Sequence, residues 1–128
     1  MNKNSPQILI IEDDIAIQKM YTVKFQKEGF LVLGAKTGSE ALNLLKENSP
    51  TIILLDIMLP DMSGLEVLES IKQSSTHKDI PVIVLTVLPE VIALKKALKL
   101  GAAGYLVKSE LTPNAVLDHV KMELKLNK

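Results

Sequence analysis

The 128 residues contain no cysteine. That excludes a disulfide framework, thiol nucleophiles and Cys-ligated zinc or iron–sulfur sites, and it fits a reducing compartment. Aromatic residues make up only 3% of the chain, as Tyr21, Phe25, Phe30 and Tyr105, so stacking platforms for single-stranded nucleic acid are missing. Neither sign of charge is in excess, since 15 basic residues face 15 acidic ones. A bulk electrostatic case for binding nucleic acid or an anionic membrane is therefore lacking. Long apolar runs are absent too. The opening MNKNSPQ leads only into Ile8 to Ile11 before Glu12, too short for a signal-peptide core or a membrane span. The expectation is a soluble, cytoplasmic protein that contacts neither nucleic acid nor membrane directly. What is present is ordinary for a globular chain, with 47% apolar and 23% charged residues. This length predicts one domain, which buries enough surface to need no covalent staples.

Short apolar runs alternate with segments of helical period. Ile8–Ile11 is the first strand, and Ile17, Met20, Tyr21 and Phe25 then recur at helical spacing until Gly29. Phe30–Leu33 reads as the second strand. Thr37 to Glu40 opens a helix carrying Ala41, Leu42 and Leu45, broken at Ser49-Pro50. Ile52–Leu55 is the third strand, followed by a turn-rich stretch from Pro60 to Gly64 and a helix with Leu65, Leu68 and Ile71. Pro81–Thr86 is the fourth strand, with proline at its first position, where a missing donor is tolerated. Val91, Leu94, Ala97 and Leu98 mark the fourth helix, closed by Gly101. Tyr105–Val107 is the fifth strand. Thr112 as N-cap and Pro113 at the first helical position start a last helix with Leu117, Val120 and Leu124 on its inner face. Five βα repeats with continuous aliphatic strands predict a five-stranded parallel sheet, doubly wound, flanked by five helices and flavodoxin-like. In such sheets the site lies beyond the carboxyl ends of the strands, at the topological switch point.

Four of the five strand ends are polar: Glu12, Asp13 and Asp14 after the first, Asp56 after the third, Thr86 on the fourth and Lys108 after the fifth. In the strand order 2-1-3-4-5 the first and third strands are neighbours, which brings Asp13 and Asp56 face to face. Clustered carboxylates repel unless a cation joins them, and hard oxygen donors without His or Cys suit Mg²⁺. Lys108 adds a point charge and Thr86 a hydroxyl, a set suited to phosphoryl transfer with Asp56 as nucleophile. Each residue also has a plainer role open to it. Asp13 or Asp14 can cap a helix, Asp56 can serve a turn, Thr86 can cap the fourth helix, and Lys108 can be simply solvated. What favours the site is that all of them share one edge of one sheet.

These residues resemble a bacterial two-component response-regulator receiver domain, over about residues 7–126, a single domain with no output domain in this chain. The motifs that carry the resemblance are ILIIEDD, LLDIMLPDMSG, PVIVLT and GAAGYLVK, with the spacing from Asp56 to Thr86 to Lys108. The resemblance implies that Asp56 accepts a phosphoryl group from a sensor histidine kinase or phosphotransfer protein. It also implies Mg²⁺ (or Mn²⁺) bound by Asp13, by Asp56, by Glu12 through water and by the backbone carbonyl of Met58. Thr86 and Lys108 would contact the phosphoryl oxygens. Tyr105 would move inward as Thr86 swings toward the phosphoryl group, changing the surface of the fourth helix, fifth strand and fifth helix. A half-buried strand aromatic is the other reading of Tyr105. The output would be a separate protein or a covalently linked domain, and a phosphorylation-dependent homodimer follows from the family analogy alone.

Three departures from the family pattern stand out. Lys108 is followed by Ser109, where most of the family has proline after a cis peptide. A non-proline cis bond costs about 2.5–4 kcal/mol, so the loop either keeps it or is built differently. Val87 follows Thr86 where a smaller residue is common, and narrows access. Met58 and Leu88 flank the phosphoryl position and are apolar, which orients attacking water poorly and predicts a long-lived phosphorylated state. His77 and His119 read as surface residues. Lys95, Lys96 and Lys99 read as a solvated face or a meeting point for an acidic partner, with Ile92 and Leu88 adding exposed apolar area.

Rival readings are a pseudo-receiver that folds alike but acts as an unphosphorylated interaction module, and a magnesium-dependent phosphatase. The phosphatase lacks a second acid two residues after Asp56, where Met58 stands, so enzymatic turnover is not expected beyond slow self-dephosphorylation. A flavin carrier fails on charge, since Glu12, Asp13 and Asp14 would repel its phosphate and no glycine-rich nest follows the first strand.

Overall fold

Aliphatic runs of four or five residues, each followed by a capped amphipathic segment, build a three-layer sandwich in the computed structural model. The structure describes residues 5–87 and 91–125. The elements run β1 (Gln7–Ile11), α1 (Ile15–Lys27), β2 (Leu31–Ala35), α2 (Gly38–Glu47), β3 (Ile52–Leu55), α3 (Gly64–Gln73), β4 (Val82–Thr86), α4 (Val91–Lys99), β5 (Gly104–Val107), a 3₁₀ turn (Lys108–Glu110) and α5 (Pro113–Leu124). All strand pairs are parallel, in the order β2-β1-β3-β4-β5. This is the doubly wound sheet with five flanking helices that the sequence predicts. Leu88 and Leu126 lie outside the described residues.

Strand side chains alternate between the two faces. Leu9, Ile11, Ile53, Leu55, Val82 and Val84 join the core under α2, α3 and α4. Ile8, Ile10, Ile52, Leu54, Ile83 and Leu85 join the core under α1 and α5, with Phe25 and Val120. Each fully buried aliphatic contributes roughly 1.5–3 kcal/mol, so the central strands β1, β3 and β4 anchor the fold. Helix starts follow local chemistry. Asp14 caps α1 by accepting from Ile17 N–H at 3.0 Å, Ser63 and Glu66 form a capping box on α3, and Thr112 caps α5 ahead of Pro113. Each cap contributes about 1 kcal/mol.

The structure corrects some local readings. The second strand runs Leu31–Ala35, not Phe30–Leu33. Phe30 N–H instead bonds the Phe25 carbonyl at 3.1 Å, and its ring meets Phe25 edge-on at 5.1 Å, closing the α1 terminus. The inward face of α4 is made by Ala93 and Ala97, whereas Val91 and Leu98 point outward. Ile92 is 70% exposed, in line with the expected apolar surface there. Met20 also lies on the outer side of its helix. His119 is exposed as expected, but His77 is half-buried. Its Nε2 lies 3.2 Å from the Asn48 carbonyl and its Nδ1 3.1 Å from Ser74 Oγ, clipping the α2–β3 loop to the α3–β4 loop. A carbonyl can only accept, so Nε2 is the donor in the bond to Asn48.

Candidate functional site

Register brings the polar strand ends together. Ile11 pairs with Leu55, so Glu12 and Asp56 emerge side by side from adjacent strands. Asp56 N–H donates to the Ile11 carbonyl at 3.0 Å, and Glu12 N–H donates to the Ala35 carbonyl at 2.9 Å. Leu55 is level with Val84, which sets Asp56 beside Leu85 and one step short of Thr86. Glu12, Asp56 and Thr86 are buried, while Asp13 is exposed at the mouth. Glu12, Asp13 and Asp56 each offer a carboxylate oxygen, and the three oxygens lie within 4.8 Å of one another. A small cavity of about 10 Å³ lies beneath them, lined by Glu12, Tyr21 and Asp56 among others.

Lys108 supplies the neutralising charge. Its ammonium donates to Asp56 Oδ2 at 3.0 Å and also to Glu12 Oε1. The Lys108 side chain is only 14% exposed. Burial alone would push the ammonium's pKa down, but the hydrogen bonds to Glu12 and Asp56 outweigh it and hold the pKa above the ordinary lysine value. Burial is the leading cause at Glu12 as well. It raises the carboxyl above its usual range, although Lys108 and the Asp14 N–H pull the other way. Among the described residues no peptide is cis. The Lys108–Ser109 link is trans within the 3₁₀ turn, so the loop is built differently from the family's, and Lys108 still reaches both acids.

The loop after β3 is held by tight local bonds. Met58 N–H donates to Asp56 Oδ1 at 3.0 Å. Gly64 N–H donates to the Ile57 carbonyl at 2.7 Å, and Gly64 packs so closely that a Cβ there would lie on the Asp56 carbonyl oxygen and 2.6 Å from Ile57 Cα. Asp61 accepts from Gly38 N–H at 2.8 Å and Ser39 N–H at 2.9 Å, tying this loop to the N-terminus of α2. Those backbone bonds, Ser39 first, hold the Asp61 carboxyl below the usual aspartate range. Gln18, Tyr21, Asp61 and Gly64 were not singled out from sequence as parts of this site. Only the loop motif LPDMSG carries a signal for two of them.

The remaining expected residues take these places. Thr86 closes β4 on the face shared with Val82 and Val84. Tyr105 is half-buried against that same core and pairs with Val84, diagonal to Thr86. Val87 is 53% exposed and Met58 50% exposed at the rim. Leu88, expected beside them, falls outside the described residues. The donor set fits a hard divalent cation: carboxylate oxygens converge with no nitrogen or sulfur ligand.

Comparison with known proteins agrees with this fold. The response regulator receiver domain family matches residues 8–121. The chain is 35% identical over 121 residues to the transcriptional regulatory protein SrrA of Staphylococcus aureus, covering 94% of this chain and 48% of that protein. A CheY-like response regulator receiver domain protein from Methanospirillum hungatei superposes with a TM-score of 0.90 at 30% identity, covering 95% of both chains. The Mn²⁺-bound form of response regulator Rcp1 superposes with a TM-score of 0.80 at 27% identity, covering 91% of both. The chain spans less than half the length of the curated relatives it matches. Among the described residues no helix is long and apolar enough to cross a membrane.

Proposed function

This chain belongs to the response regulator receiver domain family, and we propose that it is a phosphorylation-activated switch with Asp56 as phosphoacceptor. The observation that carries this reading is the buried Lys108 ammonium shared by Asp56 and Glu12 beside a third carboxylate, at the switch point of the sheet. An Asp56 carboxylate oxygen attacks phosphorus of a phosphohistidine on a sensor kinase or phosphotransfer protein. The new O–P bond forms as the P–N bond breaks, and the electron pair leaves on the imidazole, which takes up a proton. Lys108 and the Thr86 hydroxyl meet the phosphoryl oxygens, and Met58 N–H, already on the Asp56 carboxylate, holds the nucleophile's orientation. Asp13, Asp56, the Met58 carbonyl and Glu12 through water would hold Mg²⁺ or Mn²⁺, which would supply charge neutralisation for those oxygens.

Thr86 and Tyr105 lie diagonally on one sheet face. We read that pair as the relay to the surface of α4, β5 and α5. There Ile92, Lys95, Lys96 and Lys99 are exposed to a downstream protein or a linked output domain, or to a second copy of the chain. The domain comprises about residues 7–126.

Intact mass after incubation with acetyl phosphate tests the reading. We expect one added phosphoryl group that requires both Mg²⁺ and Asp56, and none on Asp56→Ala. A folded, Mg²⁺-binding protein that gains no mass would instead be an unphosphorylated interaction module.

A further inference from the structure

Gln18 lies one turn into α1, its N–H on the Asp14 carbonyl at 2.9 Å. Its side chain turns back to the end of the sheet. Nε2 donates one hydrogen to the Glu12 carbonyl at 3.0 Å and the other to the Ala35 carbonyl at 2.9 Å. Both acceptors can only accept, so the amide orientation is fixed and both its donors are used. The Ala35 carbonyl already receives Glu12 N–H, the last bond between β1 and β2. The amide therefore stitches the two strands where they part.

A second observation is independent of those bonds. Gly34 sits inside β2, where glycine weakens a strand and marks close approach by another group. A Cβ at Gly34 would stand 2.6 Å from Gln18 Oε1 and 3.0 Å from Gln18 Cδ. Gln18 and Gly34 are a matched knob and hole, and the knob is the flexible end of a side chain.

What the stitch holds is the peptide between Glu12 and Asp13. Its carbonyl is bound by Gln18, Glu12 N–H by Ala35, and the N–H of Asp14, two residues on, by Glu12 Oε2 at 3.1 Å. That backbone sets the direction in which the Glu12 and Asp13 carboxylates leave the chain. Like charges held within 4.8 Å of each other and of Asp56 drift apart unless the backbone is tethered. We propose that Gln18 is a positioning residue for the acidic pocket, with Gly34 as its seat, and that divalent-cation affinity depends on the pair. This rests on the reading that Glu12, Asp13 and Asp56 hold Mg²⁺.

The test is Mg²⁺ titration of the full chain by calorimetry and by amide NMR shifts, with urea unfolding measured in parallel. Outer residues that orient metal ligands typically set affinity by about 10–100-fold. We expect Gln18→Leu to raise the Mg²⁺ dissociation constant at least about tenfold. Gly34→Ala should do the same with Gln18 present, because the methyl displaces the amide rather than the strand. The double variant should bind no worse than Gln18→Leu alone, and Gln18→Arg, which again offers two N–H groups, should recover most of the affinity. Phe25→Leu, two turns beyond Gln18 on α1 and in the same core, serves as a variant that lowers stability without removing a hydrogen bond at the pocket. If Gln18→Leu and Gly34→Ala lower only the unfolding midpoint, as Phe25→Leu does, with an unchanged dissociation constant, the positioning role is overturned. A wild-type chain with no saturable Mg²⁺ binding, or binding untouched by Asp13→Asn, would overturn the pocket reading itself, a distinct outcome. Should Gln18→Leu fail to fold, Gly34→Ala and Gln18→Arg still decide the matter.

Discussion

Lys108 is the residue on which the site's electrostatics turn, because it is the cation among converging carboxylates. Removing one partner of a buried pair leaves uncompensated charge, typically at about 3–5 kcal/mol. Lys108→Met should therefore lower stability by roughly 3 kcal/mol in EDTA, read from the urea midpoint. One carboxyl would take up a proton in compensation. Millimolar Mg²⁺ should restore more of the loss in the variant than it adds to wild type, since the cation then has no ammonium to compete with. An equal Mg²⁺ increment in both proteins would count against shared occupancy of the pocket. Met58 carries a second prediction at this scale. Its side chain is half-exposed at the rim and apolar, so it offers attacking water no hydrogen bond. The phosphorylated state should persist for many minutes in Mg²⁺, and Met58→Asn should shorten it several-fold by giving that water a partner. A wild-type half-life of seconds, followed by intact mass, would refute this.

At the scale of elements, the loop after β3 and the helix α4 behave differently for reasons visible in their residues. Asp61 ties the loop to α2 through two backbone N–H groups at a helix N-terminus, where negative charge is favoured. Its pKa is depressed in the folded state, so its stabilisation is present above the unfolded value and is lost as pH falls through the lower, folded one. Asp61→Asn should thus weaken the fold at neutral pH and leave the acid limit nearly unchanged. Parallel midpoint-versus-pH curves for the two proteins would contradict this. α4 inserts only Ala93 and Ala97, whereas α3 inserts Val67, Leu68 and Ile71. With less buried apolar surface, α4 amides should exchange with deuterium faster than those of α3 by an order of magnitude or more. The same contrast explains what the sequence made legible. Strands announce themselves as unbroken aliphatic runs, and their polar ends line up by register, so the sequence alone puts Glu12, Asp13, Asp56, Thr86 and Lys108 at one sheet edge. The inward face of α4 is hard to read from sequence because two alanines are a faint apolar signal beside Val91 and Leu98. The bonds of Gln18, Asp61 and His77 are hidden in the sequence because side-chain-to-backbone bonds leave no periodic trace. The Lys108 loop stayed open because neither a cis nor a trans link is written in the residue pair Lys-Ser.

For the whole molecule, two cores share one sheet, so the acidic pocket at the sheet's edge is coupled to the folding of both layers. Any cation that binds the folded chain alone stabilises it by about 2.7 kcal/mol at a hundred times its dissociation constant. For a chain of this size that amounts to a rise in Tm of roughly 10 °C. The increment should depend on pH in a direction set by Glu12. Its folded pKa stands above the unfolded value, chiefly through burial, so its contribution to stability is present at low pH and is lost as pH rises through the folded value. Without metal, wild type should therefore lose stability relative to Glu12→Gln as pH climbs out of the carboxylate range. Saturating Mg²⁺ favours the ionised carboxylate and should flatten that relative loss. Urea midpoints of both proteins at several pH values, with EDTA and with Mg²⁺, measure the effect directly. A wild-type minus Glu12→Gln difference that ignores Mg²⁺ at every pH would mean that Glu12 serves Lys108 alone, and that the cation is held without it.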